Sequence, residues 1–429
     1  MNDISINIPD KKEPSAVFRW GILVFVSLAM FGNYYIYDSV SPLADVLSKQ
    51  LNFSDSNIGM LMGIYSVPNI FLVLIGGIII DKIGTRISSL IFAVLCMLGA
   101  IITAFSGGEL VIMAIGRLVF GLGAESLIVA ITTVLGRWFK GKQLSFAFGV
   151  NLTIARLGSF TAFNSPTWAK SLYADWHAPL LLAVGAGILS VVSIIIYWGM
   201  DIYAEKNYAM HPVPKQDEFK FKEIFSFSSS FWYIVLLCVT FYSAIFPFET
   251  FAVKFFIDEH GVTRGEGGFL ISMIKIFAMI LSPLFGLLSD YIGKRSFMMM
   301  IGSILLMPIY LMMNYTHISL YIPMAMMGFA FALIPAVMWP SVALIVEEKK
   351  LGTAYGLMTM IQNIGLALFN FLIGWVNDFS GGYSAGMWLF SILGFLGLFF
   401  SIMLRKSETG PNGHGLEEGI KKIWMTKNT

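Results

Sequence analysis

Six ionisable side chains stand inside long apolar stretches of this 429-residue chain: Asp38, Arg117, Glu125, Arg156, Glu249 and Lys275. In hydrocarbon such groups are costly and face a partner, a polar cavity or a solute. Spacing separates the six. Glu125 lies 12 residues before Arg137, and Arg156 lies 14 after Lys142. Read as a helix hairpin around 137–142, the two charges sit about 18 and 21 Å from that loop. An acid and a base therefore share one height near the middle of a bilayer. A guanidinium suits bidentate capture of a carboxylate, and a carboxylate suits an ammonium. A small zwitterion would meet both counter-charges there. The alternative is a structural ion pair between the two, which says little about function.

Glu249 and Lys275 form a second pair of equal depth, each about 12 Å inside the loop at 258–266. They read equally well as a structural ion pair or as the lining of an outer vestibule, and Lys254 competes for Glu249. Arg117 reads as a brace within the first half. Asp38 closes the apolar part of the first stretch, in Tyr34-Tyr35-Ile36-Tyr37-Asp38, and is expected at the outer mouth.

The elements that carry these charges are membrane helices. Apolar residues make up 57% of the chain and charged ones 13%, with a mean hydropathy of +0.76. A soluble domain has about 45–50% and about 25%, so a soluble protein is excluded. A net charge of +2 gives no reason to expect nucleic acid. Cys96 and Cys238 lie in apolar runs and form neither a disulfide framework nor a metal site. No phosphate loop, nucleophile elbow or His-Glu metal pattern appears, so neither an enzyme nor a cofactor is expected.

Runs long enough to span a bilayer as helix fall near 17–46, 56–80, 87–106, 110–137, 143–169, 178–200, 230–257, 267–289, 297–314, 318–346, 352–377 and 384–404. The first is too long for a cleaved signal. The expected organisation is a cytosolic tail (1–16), a six-helix bundle (17–200), a cytosolic linker (201–228), a second bundle (229–405) and a cytosolic tail (406–429). With both termini in the cytosol, 21 of the 28 Lys and Arg residues fall on that side and four on the other, a strong positive-inside signal.

The halves repeat. Gly77-Ile-Ile-Ile-Asp81-Lys82-Ile-Gly84-Thr-Arg86 is matched by Gly286-Leu-Leu-Ser-Asp290-Tyr-Ile-Gly293-Lys294-Arg295, offset by 209. Ala147-Phe148-Gly149 with Gly158 is matched by Ala354-Tyr355-Gly356 with Gly365, offset by 207. Parallel repeats of this kind are a transporter plan with the solute site near the midplane between the halves. Asp81 and Asp290 can accept hydrogen bonds from a neighbouring helix N-terminus and pair with Arg86 and Arg295. Such a latch would open and close the cytosolic mouth. The alternative is that these charges only mark the membrane boundary.

The duplicated loop resembles the signature of the major facilitator superfamily, and Arg117-x-x-Phe120-Gly121-x-Gly123 resembles its second motif, with Phe120 where Gln is common. Further segments resemble one branch, the lysosomal dipeptide carriers. These are Gly123-Ala-Glu125-Ser126-Leu127, Trp138-Phe139-Lys140-Gly141-Lys142, Ala155-Arg156-Leu-Gly158-Ser159, Phe246-Pro247-Phe248, Trp339-Pro340, Leu351-Gly352-Thr353-Ala354-Tyr355-Gly356 and Ile361-Gln362-Asn363-Ile-Gly365. The resemblance implies a twelve-helix all-α membrane fold and facilitated diffusion (uniport) of dipeptides. It implies that Glu125 and Arg156 read the charged ends and that Trp339 is an aromatic wall. Tyr34, Tyr37, Gln362 and Asn363 would complete the pocket.

The departures bear on location. The N-terminal tail has no evident acidic dileucine sorting motif, so a bacterial inner membrane is expected, with the lysosomal membrane as the alternative. An accessory glycoprotein partner would apply only to the lysosomal case. A proton-coupled carrier of another organic solute is the rival function, although the first stretch lacks the E-x-x-E-R pattern of proton-coupled peptide transporters. A non-transporting sensor is a lesser rival, with tails too small for an output surface.

Overall fold

The computed structural model describes residues 13–139, 143–208, 227–347, 350–411 and 413–419, without the side chains of residues 73, 74, 81 and 145. Most of the linker, both tail ends, Lys140, Lys142 and the Asp81 side chain lie outside what it describes. In chain order the helices are α1 (Ala16–Asp38), α2 (Ala44–Leu51), α3 (Asp55–Gly63), α4 (Ser66–Ala104), α5 (Leu110–Phe139), α6 (Leu144–Phe163) and α7 (Ser165–Trp168). Then follow α8 (His177–Asn207), α9 (Ser229–His260), α10 (Arg264–Ile292), α11 (Arg295–Tyr315), α12 (Tyr321–Ile345), α13 (Leu351–Ser380) and α14 (Ser384–Glu408). Eleven helical stretches among the described residues are long and apolar enough to cross a membrane. The twelfth pass is α3 with the first part of α4.

Local chemistry sets the breaks. The first stretch, expected as one span over 17–46, stops at Asp38. Pro42 has no N–H to give the Asp38 carbonyl and its ring crowds that oxygen, so the chain turns through a 3₁₀ segment, Ser41–Leu43, into α2. Pro68 does the same to Ile64, and the second pass is interrupted at 64–65 between α3 and α4. α4 then folds back at Gly84, whose φ of 82° and ψ of 160° suit a residue without a Cβ. α8 runs on to Asn207, so residues 201–207, expected as linker, are helix.

Within the first half α1 packs on α6 and α8, and α4 on α5 and α8. Within the second, α9 packs on α13 and α14, α10 on α12, and α11 on α12 and α14. The face carrying Arg86, Arg137, Arg295 and Arg405 is called the basic face below, and its opposite the far face. At the far face the halves close on each other. The apolar residues of α2, α3 and the far-face ends of α4, α5, α6 and α8 share one core with the second half, whereas the remainder of the first half keeps its own. α3 meets α13 so closely that a Cβ on Gly374 would lie 2.2 Å from the Asp55 carbonyl oxygen.

Polar bonds reinforce this closure. The Asp378 carboxylate accepts from the backbone N–H groups of Asp55 and Ser56 at 2.9 and 2.8 Å, an anion on the N-terminus of α3. Arg264 donates to both oxygens of Asp45 at 3.0 and 2.6 Å, and Lys254 pairs with Asp55. Lys254 therefore does not compete for Glu249. Acids of the first half meet bases of the second in a clasp that joins them.

Candidate functional site

The hairpin of α5 and α6 carries Glu125 and Arg156, and both are half-buried. Neither makes a hydrogen bond or ion pair among the described residues. Tyr34, on α1, stands within Coulombic range of both. The Arg156 guanidinium lies over the Phe331 ring of α12 at 6.0 Å and within Coulombic range of Tyr242 on α9. Arg156 thus reaches from the first half toward aromatic groups of the second.

Those aromatics form a continuous wall. Tyr242 stacks on Phe246 at 5.6 Å, and Phe331 stands edge-on to Phe246 at 6.0 Å. Trp339 donates from Nε1 to the Tyr242 hydroxyl at 3.0 Å and stacks with Tyr355 at 6.0 Å. Tyr355 donates its hydroxyl to the Trp339 carbonyl at 3.1 Å. Tyr242 and Phe331 carry no signal in the sequence, because an aromatic residue in a Phe-rich span is not distinguished, and Phe246 stands out only within the Phe246-Pro247-Phe248 segment.

The remaining pocket candidates fall in different places. Gln362 is half-buried. Asn363 is 1% exposed; its amide N–H donates to the Thr359 carbonyl at 3.0 Å, while its Oδ1 has no partner among the described residues. Tyr37 packs edge-on to Tyr65 at 4.7 Å and near Phe246 at 6.1 Å, in the far-face closure.

Three of the other charges are engaged. Arg117 donates to the carbonyls of Leu61, Ile36 and Tyr37 at 3.2, 3.1 and 3.1 Å, tying α5 to α1 and α3. Glu249 takes the Lys275 ammonium on both oxygens, at 2.8 and 2.9 Å, with both residues buried. The pair is an ion pair bridging α9 and α10. Asp38, expected at an open outer mouth, is only 2% exposed, because the turn at Pro42 folds the far-face cap over it.

At the basic face Arg86 bonds Asp201 at 2.5 Å and Glu205 at 2.6 Å. Arg137 joins the same two acids at 3.1 and 3.0 Å. Trp138 Nε1 donates to Asp201 at 3.1 Å. In the second half Arg295 pairs with Asp290 at 2.8 Å. Both loops brace their own half in this state.

A twelve-pass bundle in two similar halves, closed at one face around a charged and aromatic centre, defines a membrane carrier. The profile of the Major Facilitator Superfamily matches residues 26–265 and 250–427, and the chain belongs to that superfamily. It is a multi-pass membrane transporter of small molecules, not an enzyme. Its curated relatives include the lysosomal dipeptide transporter MFSD1 of Danio rerio, 32% identical over 374 residues, covering 84% of this chain and 81% of the relative. The human protein of that name is 31% identical over 389 residues, covering 88% and 83%. Among solved structures, a variant of the nucleoside transporter NupG superposes with a TM-score of 0.71 at 13% identity, covering 90% of this chain and 99% of NupG. That likeness speaks for the fold alone.

Proposed function

We propose that this chain carries dipeptides by alternating access and facilitated diffusion, with Arg156 holding the substrate carboxylate and Glu125 its ammonium. What supports it is the contrast among the intramembrane charges. Arg117, Glu249 and Lys275 have hydrogen-bond or ion-pair partners, whereas Glu125 and Arg156, half-buried on adjacent helices, have neither among the described residues. Intramembrane charges usually face a cavity or a partner, and a zwitterion supplies two. Trp339, Tyr242 and Phe331 are the wall against which substrate side chains pack, with Tyr34, Tyr37, Gln362 and Asn363 completing the pocket as the halves move.

The basic face is the cytosolic one by the distribution of Lys and Arg, which puts both termini in the cytosol. A bacterial inner membrane is the proposed location. In the opposite state, Asp81, Arg86, Asp290 and Arg295 latch the cytosolic mouth, replacing the far-face clasp of Asp45, Asp55, Arg264 and Lys254.

Counterflow in proteoliposomes tests the cargo. Vesicles loaded with unlabelled dipeptide should accumulate labelled dipeptide, while vesicles loaded with a single amino acid, a hexuronate or a nucleoside should not. Exchange of one of those solutes without dipeptide exchange would refute the proposal.

A further inference from the structure

Asp38 is almost fully enclosed, and its Oδ2 has no hydrogen-bond partner among the described residues. It sits one helical turn beyond Tyr34 on α1. Ser159, one turn beyond Arg156 on α6, lies beside the carboxyl. The acid therefore adjoins the proposed dipeptide site, on its far-face side.

The charges around it are committed elsewhere. Lys275 of α10 lies within Coulombic range, but its ammonium is gripped by both oxygens of Glu249 on α9. Arg117 of α5 is also in range, but it donates to three backbone carbonyls. Tyr37 of α1 and Tyr65, beside it, are paired with each other. Glu125 and Arg156 lie a turn deeper. α8 brings His177 at the far rim and Asp201 at the basic face, and α2 brings Asp45, which is held by Arg264.

We propose that the Asp38 carboxyl is a proton-binding site, filled from the far face and sealed when that face closes. An ionised carboxylate with an orphaned oxygen is expensive to enclose. A bound proton removes the charge without a counter-ion. When the halves part at the far face, Asp38 meets water and the proton can leave. The enclosed acid does not open to the basic face, so the proton returns to the side it came from. It acts as a gating ligand: acid at the far face favours closure over a bound solute, while the solute's own gradient drives transport. The gating of dipeptide carriage rests on the proposed cargo; the proton site itself does not.

The comparison with Asp38→Asn removes the response of every other group and isolates the site. Spin labels on Glu109→Cys and His317→Cys, exposed far-face positions of the two halves, report the opening. The native Cys96 and Cys238 are buried. Between pH 8 and 5 the carrier with Asp38 should shift toward the short distance relative to Asp38→Asn, by no more than about tenfold per pH unit for one proton. Parallel pH responses would overturn the proposal. Should Asp38→Asn not assemble, Ser159→Ala must move the midpoint of the response, and an unmoved midpoint overturns it equally. In proteoliposomes an imposed pH gradient should not concentrate dipeptide; concentration would show the proton crossing and overturn the sealed site. If no dipeptide exchanges at all, the cargo proposal fails while the spin-label result still decides the proton site.

Discussion

Replacing Arg156 by alanine should weaken dipeptide binding by about 100-fold or more and abolish counterflow, with the thermal unfolding midpoint nearly unchanged. The size follows from truncating one member of a desolvated, hydrogen-bonded charge pair, which costs about 2–5 kcal/mol. The unchanged stability follows from the geometry. Arg156 gives no hydrogen bond to the protein among the described residues, so alanine leaves no protein acceptor stranded; its Phe331 contact at 6.0 Å is a modest loss. Arg156→Lys keeps the charge but not the planar fork and should recover only part of the binding. Titration calorimetry with differential scanning fluorimetry on the same preparations checks both halves of the expectation. Loss of binding together with a large fall in stability would instead mark Arg156 as structural.

The opposite pattern is expected at Asp201. This acid is fully buried and holds Arg86, Arg137 and Trp138 together at the basic face. Asp201→Ala removes the carboxylate from two arginines, of which Arg137 is itself nearly enclosed. Breaking a buried pair from one side costs about 3–5 kcal/mol, and Glu205 recovers part of it by keeping both guanidinium contacts. The unfolding midpoint should fall sharply, with less folded carrier in the membrane. The carrier that remains should bind dipeptide with near-normal affinity, because Asp201 lies far along α8 from the α5–α6 midplane. Asp201→Asn retains an acceptor for Trp138 and should be intermediate. An unchanged midpoint in Asp201→Ala would show that the cluster contributes nothing to the fold.

The passes were legible because hydropathy alone separates them, and the repeat because its glycine turns recur. Gly84 and Gly293 both adopt positive φ at the same place in their halves. The helix ends were less legible. Pro42 and Pro68 each break a pass four residues upstream, yet the hydropathy on either side continues unbroken. Asp201 was assigned to the linker because its run of apolar residues ends there, although Tyr197, Asp201 and Glu205 share one helix face. The repeat itself carried a further signal: Glu408 follows Asp201 at the 207-residue offset and is likewise buried, bonded to His414 at 2.8 Å. The clasp of Asp45, Asp55, Arg264 and Lys254 could not be read, because its partners stand 199 and 219 residues apart and their meeting depends on the closed state. Glu125 and Arg156 stood out for a simpler reason: charge is rare in these spans, and helical rise converts spacing into depth.

Binding of one dipeptide in three forms, free, N-acetylated and C-amidated, to wild type, Glu125→Gln and Arg156→Ala tests the two-pole site most directly. The expected result is that each cap weakens binding to wild type, that acetylation costs nothing further in Glu125→Gln, and that amidation costs nothing further in Arg156→Ala. Capped peptides that bind wild type as tightly as the free dipeptide would contradict the assignment of both poles.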